Sequence, residues 1–164
     1  MVFPGRLKKL EAAMASAVSY DEWKKAAIEH DEESGAARWR EIDYSRRYDF
    51  VSIRERLDHL QNLREHGDDR GLLFTLNEGI HGNMGGMGAS PLDGKAKFGT
   101  KYLIEDYVEE IADSLEHLAS PEVDNISFEE KLDFFQRASH CFGRSALMMS
   151  GSGTLLYFHL GVAR

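Results

Sequence analysis

One short run in the chain reads as a β-strand, and it stands close to the end: Ala146 to Met149. It enters Ser150-Gly151-Ser152-Gly153, and a second apolar stretch, Leu155 to Val162, follows at once. That order predicts a buried strand, a tight glycine turn and the start of a helix. A lone strand cannot make a stable sheet. The rest of the chain must therefore fold by packing helices, and its apolar residues do repeat at helical spacing. The expected fold is mainly α: a helical domain over residues 1–143, then the first strand–turn–helix of a truncated α/β domain over 144–164.

Residues 6 to 18 place Leu7, Leu10, Met14, Ala17 and Val18 on one helical face. Ser19 and Glu22 form a capping box for the next helix, with Val18 and Trp23 at the two positions of a hydrophobic staple. Gly35 should end that helix in the left-handed conformation open to glycine. A less regular piece holds Trp39, Ile42, Tyr44 and Tyr48. Asp49 is placed to cap a helix carrying Phe50, Ile53, Leu57, Leu60 and Leu63, which Gly67 ends. A shorter helix runs through Leu72, Leu73, Leu76 and Ile80.

Residues 81 to 99 read as a glycine-rich loop, and a loop that long inside a domain is usually functional. Thr100 is the expected cap of a long amphipathic helix with Ile104, Tyr107, Val108, Ile111, Leu115 and Leu118 on its buried stripe. Pro121 stops it. Ser127 and Glu130 form a second capping box, opening a helix with Phe128, Leu132, Phe135 and Phe142 along one side and Gly143 at its end. About six helices around one glycine-rich loop result.

Composition narrows the function classes. Hydrophobic residues make up 42% and charged residues 29%, an ordinary globular balance rather than a disordered one. The net charge of −8 argues against a nucleic-acid partner, which needs clustered Lys and Arg. Arg38, Arg40, Arg46 and Arg47 form a local basic patch, but Glu41 and Asp43 interrupt it, so a solvated or salt-bridged face is expected. The single cysteine, Cys141, allows no internal disulfide, fits a reducing compartment and reads as a buried structural thiol. No apolar stretch near Met1 suits a signal peptide, and none reaches the roughly 18–20 residues of a membrane span. A cytoplasmic location follows.

Most motifs fail. A P-loop needs Gly-Lys-Ser/Thr after a strand, whereas Gly94-Lys95 is followed by Ala96 and the segment before the loop is helical. Gly86-Met-Gly88 runs into Ala-Ser-Pro91, which ends a dinucleotide fingerprint. No histidine or cysteine pair has metal-ligand spacing, so neither cofactor nor metal is expected. His30-Asp31-Glu32-Glu33 reads as a solvated acidic helix end, and His81, beside the glycine loop, as a structural hydrogen-bonding group. Trp23, Trp39 and the Phe128/Phe135 row read as core anchors.

The Ser150–Gly153 turn survives this sieve. It is not a nucleophile elbow, because neither Ser150 nor Ser152 has glycine two residues before and after it. Its backbone N–H groups suit a donor loop for a developing oxyanion. On spacing alone an ordinary strand-to-helix turn is the lesser alternative.

The segment Phe142 to Val162 resembles the opening of the patatin domain in intracellular triacylglycerol lipases and their bacterial relatives. Upstream, Ser19-Tyr-Asp-Glu-Trp23, Trp39, Arg46 to Asp49, Leu60-Gln-Asn-Leu-Arg64, Gly82-Asn-Met-Gly-Gly86 and Gly99-Thr-Lys-Tyr-Leu-Ile104 resemble the helical domain that precedes patatin in those proteins. The resemblance implies a serine acyl hydrolase with a Ser–Asp dyad, acting without a cofactor on acyl esters of glycerol or phospholipid. Carried over by residue, only Gly151, Ser152 and Gly153 fall on the oxyanion loop. The nucleophile and the aspartate would lie beyond Arg164, so no catalytic residue and no hydrolysis are expected of this chain alone.

Two positions depart from the family pattern. Ser152 stands where glycine is usual, and Leu156 where a small residue is. Lipid esters are the implied partners, with the helical domain covering the active site or docking on a membrane or lipid-droplet surface. A non-catalytic helical interaction or lipid-surface module is the alternative. A phosphate- or nucleotide-binding domain built on the glycine loops finds no matching motif.

Overall fold

Residues 4–80 and 83–141 are described by a computed structural model, and every regular element among them is helical. The mainly α expectation holds for these residues. The strand-turn-helix expected over 146–162, with Gly151, Ser152 and Gly153, lies outside the described residues, as do His81, Phe142, Gly143 and the Cys141 side chain.

The helices are α1 (Pro4–Ser16), α2 (Tyr20–Ser34), α3 (Ala36–Glu41), α4 (Phe50–Glu65), α5 (Asp69–Gly79), α6 (Ser90–Asp93), α7 (Tyr102–Ala119) and α8 (Phe128–Cys141). A 3₁₀ turn, Met84–Gly86, lies between α5 and α6.

Short-range caps set most boundaries. Ser19 Oγ accepts from Glu22 N at 3.2 Å. The Glu22 carboxylate, however, accepts from Val18 N at 3.0 Å, one residue before the cap. Val18 is 90% exposed, so the expected staple with Trp23 is not made. The Trp23 ring stacks on Tyr20 instead, centroids 6.0 Å apart. Gly35 has φ +81° and ends α2 as expected.

Asp49 caps α4 through Ser52 N at 3.1 Å and Ser52 Oγ at 2.7 Å. These two bonds hold its carboxyl below the usual range. Asp68 caps α5 through Gly71 N at 2.9 Å. At α8 the box is reciprocal: Glu130 N donates to Ser127 Oγ at 3.2 Å, and Ser127 N to the Glu130 carboxylate at 3.0 Å.

The core sits between α4, α5, α7 and α8. Ile53, Leu57 and Leu60 of α4 meet Leu103, Tyr107 and Ile111 of α7, with Leu72 and Leu76 of α5 and Phe134 of α8 closing the cluster. Two expected stripes are corrected. Val108 is 50% exposed, because the buried row on α7 runs through Leu103, Ile104, Tyr107 and Ile111, and Val108 stands one residue round the helix from it. On α8, Phe128 is 78% and Leu132 47% exposed, while Phe134 and Ala138 are buried. Both α8 rows satisfy helical spacing; contact with α5 selects the second.

No residue of α1 or α2 belongs to the core cluster. Arg6 pairs with Glu33 at 2.9 Å, so the start of α1 meets the end of α2 and the two run antiparallel. Ala26, Ala27, His30 and Asp31 are the buried residues of this hairpin among those described.

Candidate functional site

Four segments that carry the family resemblance meet on one side of the molecule: Trp39, Arg46–Asp49, the glycine turn and Gly99–Ile104. The glycine turn is folded against the arginine turn. Asp49 N donates to Gly85 O at 2.7 Å. A Cβ on Gly85, which has φ +57°, would stand 3.4 Å from Asp49 O and from Ile53. Glycine is needed there for its backbone conformation, since the contacts a Cβ would make are of ordinary van der Waals length.

The rest of the glycine-rich stretch is a tethered strap rather than an open loop. Asp31 accepts from Lys97 N at 2.8 Å and from Phe98 N at 2.9 Å. The expectation of a solvated acidic run at His30–Glu33 is therefore corrected: Asp31 is 2% exposed and His30 8%. A carboxylate that satisfies two backbone donors can be buried because its charge is hydrogen-bonded rather than orphaned. Thr100, expected as the α7 cap, donates its hydroxyl to Leu92 O at 3.1 Å. That bond directs its side chain into the strap, so the capping position passes to Lys101, whose side chain makes no capping bond.

Lys101 is completely buried and has no carboxylate partner among the described residues. Its Nζ donates to Trp39 O at 2.7 Å and to Ile42 O, the carbonyls at the end of α3, and lies 4.5 Å from the Trp39 ring centre. The ammonium thus caps α3, where the helix dipole favours positive charge. Burial pushes its pKa down, and the Lys95 charge pushes the same way, against Asp43.

Arg40, also buried, binds Glu105 through two bonds at 2.8 and 2.9 Å, and its Nε donates to Thr100 O at 2.8 Å. Its guanidinium stands 4.4 Å from the Tyr102 ring centre. One α3 residue thereby fixes the start of α7, and the residue just before α7 fixes the end of α3.

Between this junction and the arginine turn lies a cavity of about 330 Å³. Trp39, Pro91 and Leu92 form its apolar wall; Ser45, Arg46, Arg47 and Lys95 bring polar groups to it. Trp39, expected as a core anchor, packs against the core but is only partly buried, with Lys95 Nζ 5.1 Å from its ring centre. The basic patch is divided. Arg40 is inward and paired, whereas Arg46 and Arg47 are exposed and have no ion pair among the described residues.

Sequence reading missed Lys95, Lys101, Asp31 and Glu105 as site residues. One signal was available: a lysine just before a helix start opposes the macrodipole, a local conflict that calls for a distant partner. Among the described residues no group of three His, Cys, Asp or Glu side chains is placed to hold a metal, and no helix is long and apolar enough to cross a membrane.

Comparison with known proteins places this arrangement in a family. Residues 2–140 match the family described as Domain of unknown function (DUF3336), and the chain belongs to it. Along its whole length it is 33% identical to a patatin-like phospholipase domain-containing protein of Yarrowia lipolytica, covering 20% of that protein. It is 30% identical to a triacylglycerol lipase of Arabidopsis thaliana over 92% of the chain and 18% of that lipase. A triacylglycerol lipase of Schizosaccharomyces pombe is 30% identical over the whole chain, which spans 26% of it. The chain thus covers about a fifth to a quarter of the length of these relatives. No solved structure matches.

Proposed function

We propose that this chain is the N-terminal portion of a patatin-like serine acyl hydrolase, a triacylglycerol lipase or phospholipase acting on lipid acyl esters. The observation that carries the reading is the end-to-end similarity to proteins bearing those names, of which the chain spans only a fifth to a quarter. In this reading residues 1–143 are the helical domain and 144–164 begin the hydrolase domain; the family match ending at residue 140 supports that boundary. The N–H groups of Gly151, Ser152 and Gly153 stabilise the tetrahedral oxyanion, while the nucleophilic serine and its aspartate belong to sequence beyond Arg164. The protein works from the cytoplasmic side, peripheral to a membrane or lipid-droplet surface.

Reading the source DNA beyond codon 164 tests this. An open frame that reaches Gly-x-Ser-x-Gly and a later Asp supports the proposal, and a stop codon sinks it. In that longer protein Gly151→Pro removes one oxyanion N–H and should lower kcat on an acyl ester about a hundredfold. The 164-residue chain alone should not hydrolyse 4-nitrophenyl butyrate; turnover abolished by Ser152→Ala would overturn the assignment of roles.

A further inference from the structure

We propose that the cavity between Trp39 and the Arg46–Arg47 turn binds a phosphate group, held by Arg46, Arg47 and Lys95 and belonging to a phospholipid headgroup or a soluble phosphate ester. The inference does not rest on the acyl hydrolase reading.

Charge is the first argument. In a chain of net charge −8, three cationic residues line one cavity. Among the described residues Arg6, Arg40, Arg54, Arg64, Arg70 and Arg137 each pair with a carboxylate, whereas Arg46 and Arg47, like Arg38 and Arg56 elsewhere, have none within 4.0 Å, and Lys95, like the other lysines, has none either. Arg46 only donates weakly to the Tyr44 hydroxyl, at 3.4 Å. Guanidinium forks match phosphate oxygens in pairs, and an ammonium adds a point charge. Ser45 brings a neutral donor to the same space.

Size and shape form the second argument. About 330 Å³ is at the small end for ligand pockets, enough for a phosphate and a few carbons but not for an extended polymer. The Trp39, Pro91 and Leu92 wall suits the carbon part of a headgroup or ester.

The third argument is that the walls are already held in place. Leu92 is bonded to Thr100, the strap to Asp31, and the arginine turn to Gly85. Ligand binding therefore requires little ordering of the backbone. The buried Lys101 ammonium, 4.5 Å from the Trp39 ring centre, adds positive potential behind the wall. Lys95 already makes that charge harder to hold, and an anion in the cavity offsets the repulsion.

The test uses the whole chain carrying Trp23→Phe, which leaves Trp39 as its only tryptophan. Its fluorescence is titrated at physiological salt with inorganic phosphate and with glycerol 3-phosphate. In parallel, flotation is measured with phosphatidylcholine vesicles with and without phosphatidic acid. Saturable binding in at least one arm is expected, weakened about tenfold or more by Arg46→Gln/Arg47→Gln and by Lys95→Gln. Binding to phosphatidic acid vesicles alone assigns the site to a lipid headgroup, and binding of the soluble ligands assigns it to a phosphate ester. Lys8→Gln/Lys9→Gln, an equal charge change on exposed α1, should leave binding intact. No binding in either arm overturns the proposal, and so does an equal loss in the α1 variant. Helix content by circular dichroism confirms that each variant is folded.

Discussion

The α4–α5–α7–α8 core and the α1–α2 hairpin are both helical, yet they are held by different forces. The core is a continuous apolar cluster, with Ile53, Leu72, Leu103 and Leu118 fully buried. It contains a deep ion pair, in which Arg64 grips Glu110 at 2.7 and 2.9 Å while Ser114 donates to the same carboxylate at 3.1 Å. The hairpin contributes nothing to that cluster. It is tied on by the Asp31 clamp, by the Lys24 ammonium 5.0 Å from the Phe98 ring centre, and by continuation into α3. Apolar burial is non-directional and spreads over many contacts, so its loss anywhere weakens the whole cluster. A polar clamp concentrates attachment in a few bonds, and its loss frees one part.

The largest expected effect belongs to the core. Leu57→Ala, at a site 1% exposed, should cost about 3 kcal/mol and shift the single urea transition of the whole domain. Asp31→Ala leaves two backbone donors unpaired and should cost about 2 kcal/mol, confined to the hairpin and the strap. Hydrogen exchange should then rise in α1, α2 and residues 95–99 while α4 and α7 keep their protection. Equal loss of protection in α7 would erase the distinction drawn between the two regions.

Glu110 adds a pH test. Burial by itself raises its pKa, but the bonds and charge of Arg64, with help from Ser114 and Gln61, hold it below its ordinary value of 4.5. A depressed carboxylate contributes stability that is present above its unfolded pKa and is lost as pH falls through its folded pKa. Stability should therefore fall on acidification below about pH 4.5 in the natural chain. In Glu110→Gln, less stable by about 2 kcal/mol at neutral pH, that part of the slope should vanish. A slope unchanged by the substitution would assign the acid sensitivity elsewhere. The smallest effect is expected at Ser19→Ala: about 1 kcal/mol, seen as fraying of the first turn of α2 with the core transition unmoved.

Legibility followed sequence distance. Ser19, Asp49, Gly35 and the Ser127–Glu130 box could be read because each partner lies within three or four residues, where the helix itself sets the geometry. The cap at Thr100 was misread because its hydroxyl is claimed by Leu92, a residue of the strap. Phe128 and Leu132 were misread as buried, although Phe135 of the same row does pack against the core, because spacing defines a face without saying which face has a neighbour. The cavity was not legible at all. Its walls come from residues 39, 45–47, 91–92 and 95, and nothing local marks Arg46 as open and Arg40 as buried.

From the amino-acid sequence alone came the helical class, most helix ends and the family resemblance, since periodicity, caps and matching words are all local properties of a chain. The tertiary structure alone decided which charges are buried. Asp31 meets Lys97 and Phe98, Arg40 meets Glu105, Arg64 meets Glu110, and Lys101 meets Trp39, each pair more than forty residues apart. An ionised side chain is stable inside a protein only when a specific partner replaces its water, and packing, not sequence neighbourhood, supplies that partner.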